Sequence, residues 1–229
     1  MDFIGKSILI DDILVVGDLH FGYEESLRSQ GYFVPRNIYE EVIRDFDEIF
    51  ERVDVKKIII LGDLKHDFGR ISRGEWSEVL DFIDYINDRC EEVVIIKGNH
   101  DILAESITKK KGILVKDYYI IGENAFLHGD RDFEEVNSGK IKRWFVGHAH
   151  PAITLEDGVK KEKFKCFLVG KFKGKEVIVL PSFFPVVEGT DPRDFDLGLA
   201  WKFDLGKFKV KVVGENLEVL DFGILKKIN

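Results

Sequence analysis

The chain has 229 residues, of which 45% are hydrophobic and 33% charged, and it carries a formal net charge of −8 at pH 7. This composition supports a folded core and does not indicate disorder. The acidic balance argues against a protein that coats nucleic acid nonspecifically, because neutralising phosphates requires a basic surface. A locally basic groove remains compatible with these numbers, as do one large domain or two small ones.

The two cysteines, Cys90 and Cys166, form neither a disulfide framework nor a CxxC motif. The N-terminal residues MDFIGKSILIDD lack the basic and apolar segments of a signal peptide. No apolar run approaches the length of a membrane span. We therefore expect a cytoplasmic protein without membrane contact, since free cysteines are usual in a reducing compartment.

Five short apolar runs each end at a polar residue of a type that binds metals. The runs are residues 13–16, 57–61, 93–97, 125–127 and 144–146. Each is rich in β-branched or aromatic residues, which favours a buried strand. The motifs that follow them are Gly-Asp twice, Gly-Asn, His-Gly-Asp and Gly-His.

Apolar residues recur at helical spacing over residues 38–50 and 79–86, and the second helix is expected to begin near residues 72–75. Strands that alternate with helices predict βαβ crossovers and a largely parallel sheet. In such sheets, ligands bind beyond the carboxyl ends of the strands. That is where the polar motifs fall.

After Pro151 the pattern changes to short strands without intervening helices. They are expected at residues 164–169, 175–180, 199–203, 208–213 and 217–222, joined by turns such as Gly170-Lys171 and Gly206-Lys207. This β-meander would supply a second sheet packed on the first. Because no Pro/Gly/Ser-rich linker separates the two parts, residues 1–229 are predicted to form a single domain.

All six histidines lie within a few residues of a predicted strand end: His20, His66, His100, His128, His148 and His150. None falls in a predicted helix or in the C-terminal meander. The last two stand in the sequence VGHAHP. If that loop is extended, residues i and i+2 point to the same side and both imidazoles aim into one site. A pair of hydrogen-bonded surface histidines is the alternative.

A mixture of carboxylate, carboxamide and imidazole suits a borderline divalent metal such as manganese, iron or zinc. Calcium would want oxygen ligands throughout, and a structural zinc site would usually include cysteine. Seven candidate ligands are too many for one tetrahedral site but suit two metals. Two ions about 3.5–4 Å apart can clamp the attacking and leaving oxygens of a displacement at phosphorus, with one carboxylate bridging them.

The ordered motifs resemble those of the calcineurin-like metallophosphoesterases across residues 14–151. They are DLH at 18–20, GDLKHD at 62–67, GNHD at 98–101, HGD at 128–130 and GHAH at 147–150. The resemblance implies an α/β, four-layer fold of two stacked mixed β-sheets flanked by α-helices. Within the family, GDLKHDFG and LPSFFPVVEGTD are similar to an archaeal group related to nuclease subunits of DNA repair and to bacterial ligase-associated phosphoesterases.

The resemblance also implies a role for each motif residue. The first metal would be held by Asp18, His20 and His150, and the second by Asn99, His128 and His148. Asp63 would bridge the two ions. His100 would bind no metal and would protonate the leaving-group oxygen. Manganese is the expected metal, with iron, zinc and nickel as alternatives.

These roles imply a metal-dependent phosphoesterase, a hydrolase in which a metal-bridging hydroxide attacks phosphorus. We expect a phosphodiesterase whose substrates include nucleic acid, either DNA or RNA. Hydrolysis of a small nucleotide or a phosphomonoester is the alternative within enzymes, and a non-catalytic scaffold on the same fold is the alternative outside them. A scaffold is expected to lose ligands, whereas all seven are present here.

Further residues near the motifs have two interpretations each. His66 and Asp67 would either orient a metal ligand or cap a loop. Lys65 and Arg70 would either contact phosphate oxygens or lie in solvent, and we favour solvent. Asp101 and Asp130 are expected to cap loops or to support the histidines near them.

The second half of the chain carries a basic stretch with seven lysines: Lys160, Lys161, Lys163, Lys165, Lys171, Lys173 and Lys175. It would be either a nucleic-acid contact or, as we favour, a solvated hairpin, because lysines also keep an exposed strand soluble. Phe183, Phe184 and Phe195 could stack on a base. In a chain with 19 phenylalanines, most are expected in the core.

Overall fold

The computed structural model describes residues 1–34, 37–67, 72–101, 108, 111–186 and 189–228. The strands of the first sheet are β1 (Asp2–Ile4), β2 (Ser7–Ile10), β3 (Ile13–Val16), β4 (Lys57–Ile60), β5 (Glu92–Ile96) and β6 (Leu114–Lys116). They lie side by side in chain order. β1, β2 and β3 pair antiparallel, and β3 to β6 pair parallel.

The second sheet has the order β14-β13-β11-β12-β9-β8-β7, and β10 pairs with one end of β11. Its strands are β7 (Tyr118–Ile121), β8 (Asn124–Leu127), β9 (Arg143–Val146), β10 (Ala152–Asp157), β11 (Lys160–Phe172), β12 (Lys175–Val179), β13 (Lys209–Val213) and β14 (Val219–Ile224). β8, β9 and β12 are parallel neighbours. The other pairings are antiparallel.

The two sheets pack face to face through alternate side chains of their central strands. The shared core includes Val15, Ile59 and Val94 of the first sheet with Phe126 and Phe145 of the second. The two phenylalanine rings stack at a centroid distance of 5.1 Å. Because neighbouring residues of a strand point to opposite faces, the remaining apolar side chains of each sheet form a second, outer core.

Three α-helices are described: α1 (Tyr23–Ser29), α2 (Ile38–Arg52) and α3 (Arg73–Asn87). α2 and α3 bury apolar stripes against the outer face of the first sheet, with Val42, Phe46 and Phe82 fully buried there. The outer face of the second sheet is covered by short 3₁₀ helices and loops, which contribute Val136, Trp201 and other side chains. Among the described residues, no helix is both long and apolar enough to cross a bilayer.

The predicted fold class and the five predicted strands before Pro151 are confirmed, with strand ends that differ by at most one residue. Both predicted helices are present, and Ser72 caps α3 by accepting from the backbone N–H of Glu75. The division between the sheets differs from the prediction. The second sheet takes β8 and β9 as well as the C-terminal strands, because β12 returns to pair parallel with β9.

Two details of the predicted meander are wrong. Residues 199–203 form no strand; Trp201 instead packs on Trp144 at 5.1 Å, so these apolar side chains cover the sheet rather than extend it. Gly170-Lys171 lies inside β11. The turn falls at Lys173-Gly174, where both residues have positive φ and the glycine adopts that conformation without strain.

Candidate metal centre

The candidate ligands follow the carboxyl ends of five strands, and the structure brings them to one edge shared by both sheets. Asp18 and His20 follow β3, Asp63 follows β4 and Asn99 follows β5. His128 follows β8, and the two histidines of the GHAH motif follow β9. Stacking the sheets therefore places two clusters of loops against each other, one cluster from each sheet.

Asp18, His20 and His150 form the first donor group, and one ligand atom from each lies within 4.8 Å of the others. The Nε2 atom of His150 lies 3.3 Å from Oδ2 of Asp18 and 3.3 Å from Nε2 of His20. Asp18 is fully buried. This is the set that the sequence predicts for the first metal.

Asp63, His128 and His148 form the second donor group by the same criterion. His128 Nε2 lies 2.9 Å from Oδ1 of Asn99, 3.1 Å from Nδ1 of His148 and 3.5 Å from Oδ2 of Asp63. The other ring nitrogen of His128 donates to the backbone carbonyl of Leu61 at 2.7 Å. In the neutral tautomer with its proton on Nδ1, the Nε2 atom carries a lone pair that faces the oxygens of Asn99 and Asp63.

This convergence of lone pairs fits a divalent cation. Burial lowers the pKa of His20 well below its ordinary value, and burial also lowers the pKa of His148. Both imidazoles are consequently held neutral, the form that binds metals. Each group combines such nitrogens with a carboxylate, as expected for manganese, iron or zinc.

The two buried carboxyl groups of the site also favour a bound cation. Burial, followed by the neighbouring carboxylates of Asp18 and Asp101, raises the pKa of Asp63 to about 9. Burial alone would also raise the pKa of Asp18, but its contacts with His150 and the nearby His128 hold that pKa below its usual range. Two buried carboxyls in one site can both be charged only beside cations.

Backbone strain is concentrated at the candidate ligands. His20, Asp63, His148 and His150 all have positive φ, between 41° and 64°. The left-handed conformation costs a residue other than glycine about 1–3 kcal/mol, and such strain clusters at functional sites. The VGHAHP loop is thus not extended, contrary to the premise of the sequence argument. Its left-handed residues direct His148 to one donor group and His150 to the other.

His100 lies beside the donor groups without belonging to either predicted set. Its backbone N–H donates to Oδ1 of Asp63 at 3.0 Å, and its Nε2 lies 3.8 Å from Oδ2 of the same residue. Its Nδ1 contacts the backbone carbonyl of His66. Burial lowers the pKa of His100. The ring also meets His20 edge to face at 5.2 Å, so it stands at the first donor group.

The residues after Asp63 are more buried than the sequence suggests. His66 packs between Tyr23 and His100, at ring distances of 4.8 and 5.8 Å, and forms a further cluster with His20 and His100. Lys65 is fully buried and donates its amine to the carbonyl of Asp67, so the favoured solvated position of Lys65 is wrong. Arg70 lies outside the described residues.

The two supporting aspartates have different surroundings. Asp101 is fully buried, accepts from Leu64 N–H at 3.0 Å through one oxygen and from Gly98 N–H at 3.0 Å through the other. It therefore ties the loop after β4 to the loop after β5. Asp130 lies 3.4 Å from the guanidinium of Arg131. The carboxylate of Asp67 accepts from the hydroxyl of Ser26 at 2.9 Å.

Sequence reasoning missed two residues that hold the site together. The carboxylate of Glu75 accepts from the N–H groups of both His66 and Asp67 at 3.0 Å. In the sequence, the Ser-x-x-Glu spacing that begins at residue 72 indicates a capping box. That motif accounts for Glu75 locally and gives no sign of its contact with the loop after β4. Ser182 donates its hydroxyl to the backbone carbonyl of Asp18 at 3.1 Å.

The basic stretch does not form one charged face. Lys175 is buried, and Lys165 directs its amine to the backbone carbonyls of Ser182 and Phe184. Lys160 and Lys161 form ion pairs with glutamates. Of the three phenylalanines considered for base stacking, Phe183 and Phe184 are buried, and Phe195 is 68% exposed.

The absence of a side chain at Gly98 allows Asp63 to pack directly against the backbone at that position. A Cβ atom on Gly98 would lie 2.2 Å from Oδ1 and 2.4 Å from the backbone nitrogen of Asp63. Gly98→Ala should therefore displace Asp63 and weaken manganese binding at least ~10-fold while the protein stays folded, as expected when the support of a ligand is lost. Isothermal titration of the folded variant measures this.

Gly139→Ala is the matched control, because a Cβ there meets no atom within 4 Å. It should bind manganese as the wild type does. Wild-type affinity in Gly98→Ala would contradict the importance of this close approach.

The crystal structure of Pseudomonas putida nuclease MPE aligns with a TM-score of 0.65 and 21% identity over 92% of this chain and 88% of that one. Vps29 from Entamoeba histolytica complexed with zinc aligns with a TM-score of 0.41 and 14% identity, covering 92% and 99% of the two chains. No curated protein sequence matches.

The model of one protein family, the calcineurin-like phosphoesterases, matches residues 12–213. This range contains all seven candidate ligands and His100. Its members are metal-dependent hydrolases, which agrees with the two donor groups described above. The chain belongs to the calcineurin-like phosphoesterase family.

Proposed function

We propose that the protein is a phosphodiesterase that works with two divalent metal ions. The observation that carries the proposal is the contact between the two donor groups. The ring of His128 lies 3.5 Å from a carboxylate oxygen of Asp18 through one nitrogen and 3.5 Å from Asp63 through the other. Sites this close together suit a pair of ions acting on one phosphorus centre.

The proposed ligands combine the two donor groups with the roles that the family resemblance implies. Asp18, His20 and His150 would take one ion, and Asn99, His128 and His148 the other, with Asp63 shared. When bound, such ions stabilise negative charge at phosphorus and lower the pKa of an attacking water. The mixture of imidazole nitrogen with carboxylate or amide oxygen in both groups suits manganese, iron or zinc, and among these we propose manganese, the metal that the family resemblance favours.

The chain's own contribution beyond metal binding would come chiefly from His100. The His66 carbonyl contacts its Nδ1, and this contact fixes the ring so that Nε2 is directed toward the centre, where Asp63 lies. Because the His66 carbonyl can only accept, Nδ1 keeps its proton, and the acid role therefore requires the imidazolium form of His100, whose Nε2 proton would be given to the departing oxygen of the ester. The T-shaped contact with His20 keeps the ring from turning away.

Two observations favour a diester over a monoester. A monoester carries an additional negative charge, and the motif lysine that could neutralise it, Lys65, is buried with its amine on a backbone carbonyl. The Pseudomonas putida protein of the same fold is a nuclease. We therefore propose nucleic acid as the substrate class. We also propose one domain over residues 1–229, since both sheets share one core.

Metal stoichiometry tests the first part of the proposal. After manganese loading, elemental analysis should approach two ions per chain. Asp63→Ala should lower this number, because the residue serves both ions. Asp204→Ala, which removes an exposed carboxylate paired with Lys207, should leave it at two. One ion per chain in the wild type, unchanged in Asp63→Ala, would refute the shared ligand.

Substrate preference tests the second part. The manganese-loaded protein should hydrolyse bis-p-nitrophenyl phosphate at least ~10-fold faster than p-nitrophenyl phosphate, and should cleave single-stranded DNA. The reason is that the amine of Lys65, which is held by a backbone carbonyl, would not neutralise the second negative charge of a monoester. Faster hydrolysis of the monoester would favour the phosphomonoesterase alternative. No hydrolysis by a protein that holds two ions would favour a non-catalytic scaffold.

His100 is tested through the leaving group. His100→Asn should keep both ions and lose ~10²–10⁴ in turnover on a DNA diester, the range of general acid catalysis. The loss should be much smaller with p-nitrophenolate as leaving group, because it departs without protonation. Equal losses on both substrates would instead indicate that His100 holds the nonbridging oxygens of the phosphate.

A further inference from the structure

Lys165 on β11 makes a contact that the metal site does not explain. Its amine donates to the backbone carbonyl of Ser182 at 2.9 Å and to that of Phe184 at 2.6 Å. Lys165 also lines a cavity of about 630 Å³, together with Lys6 and Asp45. The lysine therefore crosses from the second sheet to the loop that follows β12.

That loop holds the backbone of Asp18 through hydrogen bonds. The backbone carbonyl of Asp18 accepts from the hydroxyl of Ser182 at 3.1 Å and from the N–H groups of Phe183 at 3.0 Å and Phe184 at 3.2 Å. Three donors on one carbonyl fix the direction of the residue. The carbonyls that Lys165 contacts belong to the same residues that supply these donors.

The close fit of the loop makes it sensitive to its support. A Cβ atom on Gly17 would lie 2.4 Å from the carbonyl of Pro181, so the two backbones touch directly before Asp18. On the other side, the carbonyl of Asp63 accepts from the N–H groups of Leu19 and His20. A displacement of the 181–184 loop would consequently displace both Asp18 and His20.

The surroundings of the amine disfavour its charged form. Burial, with a smaller effect from Lys6, lowers the pKa of Lys165 to about 7, while Asp18 and Asp45 act in the opposite direction. Placing an amine where its charge is disfavoured costs free energy. Its two short hydrogen bonds to carbonyls offset that cost, so the contact is specific.

We propose that Lys165 is a positioning residue for the first metal group: it holds the 182–184 loop, and through that loop the backbone of Asp18. The inference rests on the proposed function in that the group is taken to bind an ion. It also gives the lysine-rich strand a role other than nucleic-acid binding.

Lys175 provides a matched control on the same sheet. It is buried, and its amine also donates to two backbone carbonyls, those of Ser138 at 2.6 Å and Ile141 at 2.7 Å. The loop it holds carries no candidate ligand. Lys165→Met and Lys175→Met thus remove the same chemical group, and only the first should affect Asp18.

The first readout is amide hydrogen exchange without metal. In Lys165→Met, the N–H groups of Phe183 and Phe184 should exchange at least ~10-fold faster, because the loop opens locally more often. In Lys175→Met they should exchange as in the wild type. Wild-type exchange in folded Lys165→Met overturns the proposal.

The second readout is manganese titration. Lys165→Met should weaken one of the two ions ~10–100-fold, the range for residues that support a ligand, and Lys175→Met should change neither. Wild-type protein that binds fewer than two ions would refute the proposed function. Two ions in the wild type with unchanged affinities in Lys165→Met would refute the role of Lys165 alone.

Should Lys165→Met fail to fold while Lys175→Met folds, Lys165→Gln replaces it. The glutamine retains N–H donors but is too short to reach both carbonyls. It should show a smaller increase in exchange at Phe183 and Phe184 and a smaller loss of affinity. No change in either measurement overturns the proposal.

Discussion

The structure depends on burying two carboxyl groups, those of Asp18 and Asp63, at the ends of adjacent parallel strands. Desolvating a charged carboxylate is costly, and a second one nearby adds repulsion. Imidazoles from the opposite sheet lie against these carboxyl groups, and the ring of His128 is 3.5 Å from each of the two. Stacking the sheets therefore also builds the site, because the second sheet supplies the imidazoles that complete both donor groups.

The strained backbone around these groups follows from how closely the loops must approach. A glycine at position 62 has a φ of 104°, and a Cβ there would lie 2.5 Å from Nδ1 of His128. Asp63 and the histidines His20, His148 and His150 each have a left-handed backbone conformation. The chain can therefore change direction at each of these residues and direct its side chain into the site. Packing of the sheets below and hydrogen bonds such as those of Asp101 hold this conformation in place.

Much of this arrangement could be predicted from the sequence because strand ends and ligand types are local features. The five strands and the two donor groups of Asp18 and Asp63 lie where the motifs indicate. The N-terminal hairpin β1–β2 and helix α1 were missed, since short segments carry little periodicity. Residues 199–203 have the composition of a strand, but tertiary packing of Trp201 decides their conformation instead.

The long-range contacts could not be predicted, because nothing in the sequence near Glu75, Ser182 or Lys165 states which backbone group each will reach. Lys165 shows the physical reason. In the sequence it is one of seven similar lysines, and the three that precede it on the strand, Lys160, Lys161 and Lys163, are exposed. The pairing of β11 with β10, in which Lys165 lies opposite Ala152, places this side chain against the loop that meets Asp18. The spacing of lysines in the sequence thus predicts that most of the strand is exposed, but not which lysine is directed inward. The geometry of the sheet decides which member of the pattern acts at the site.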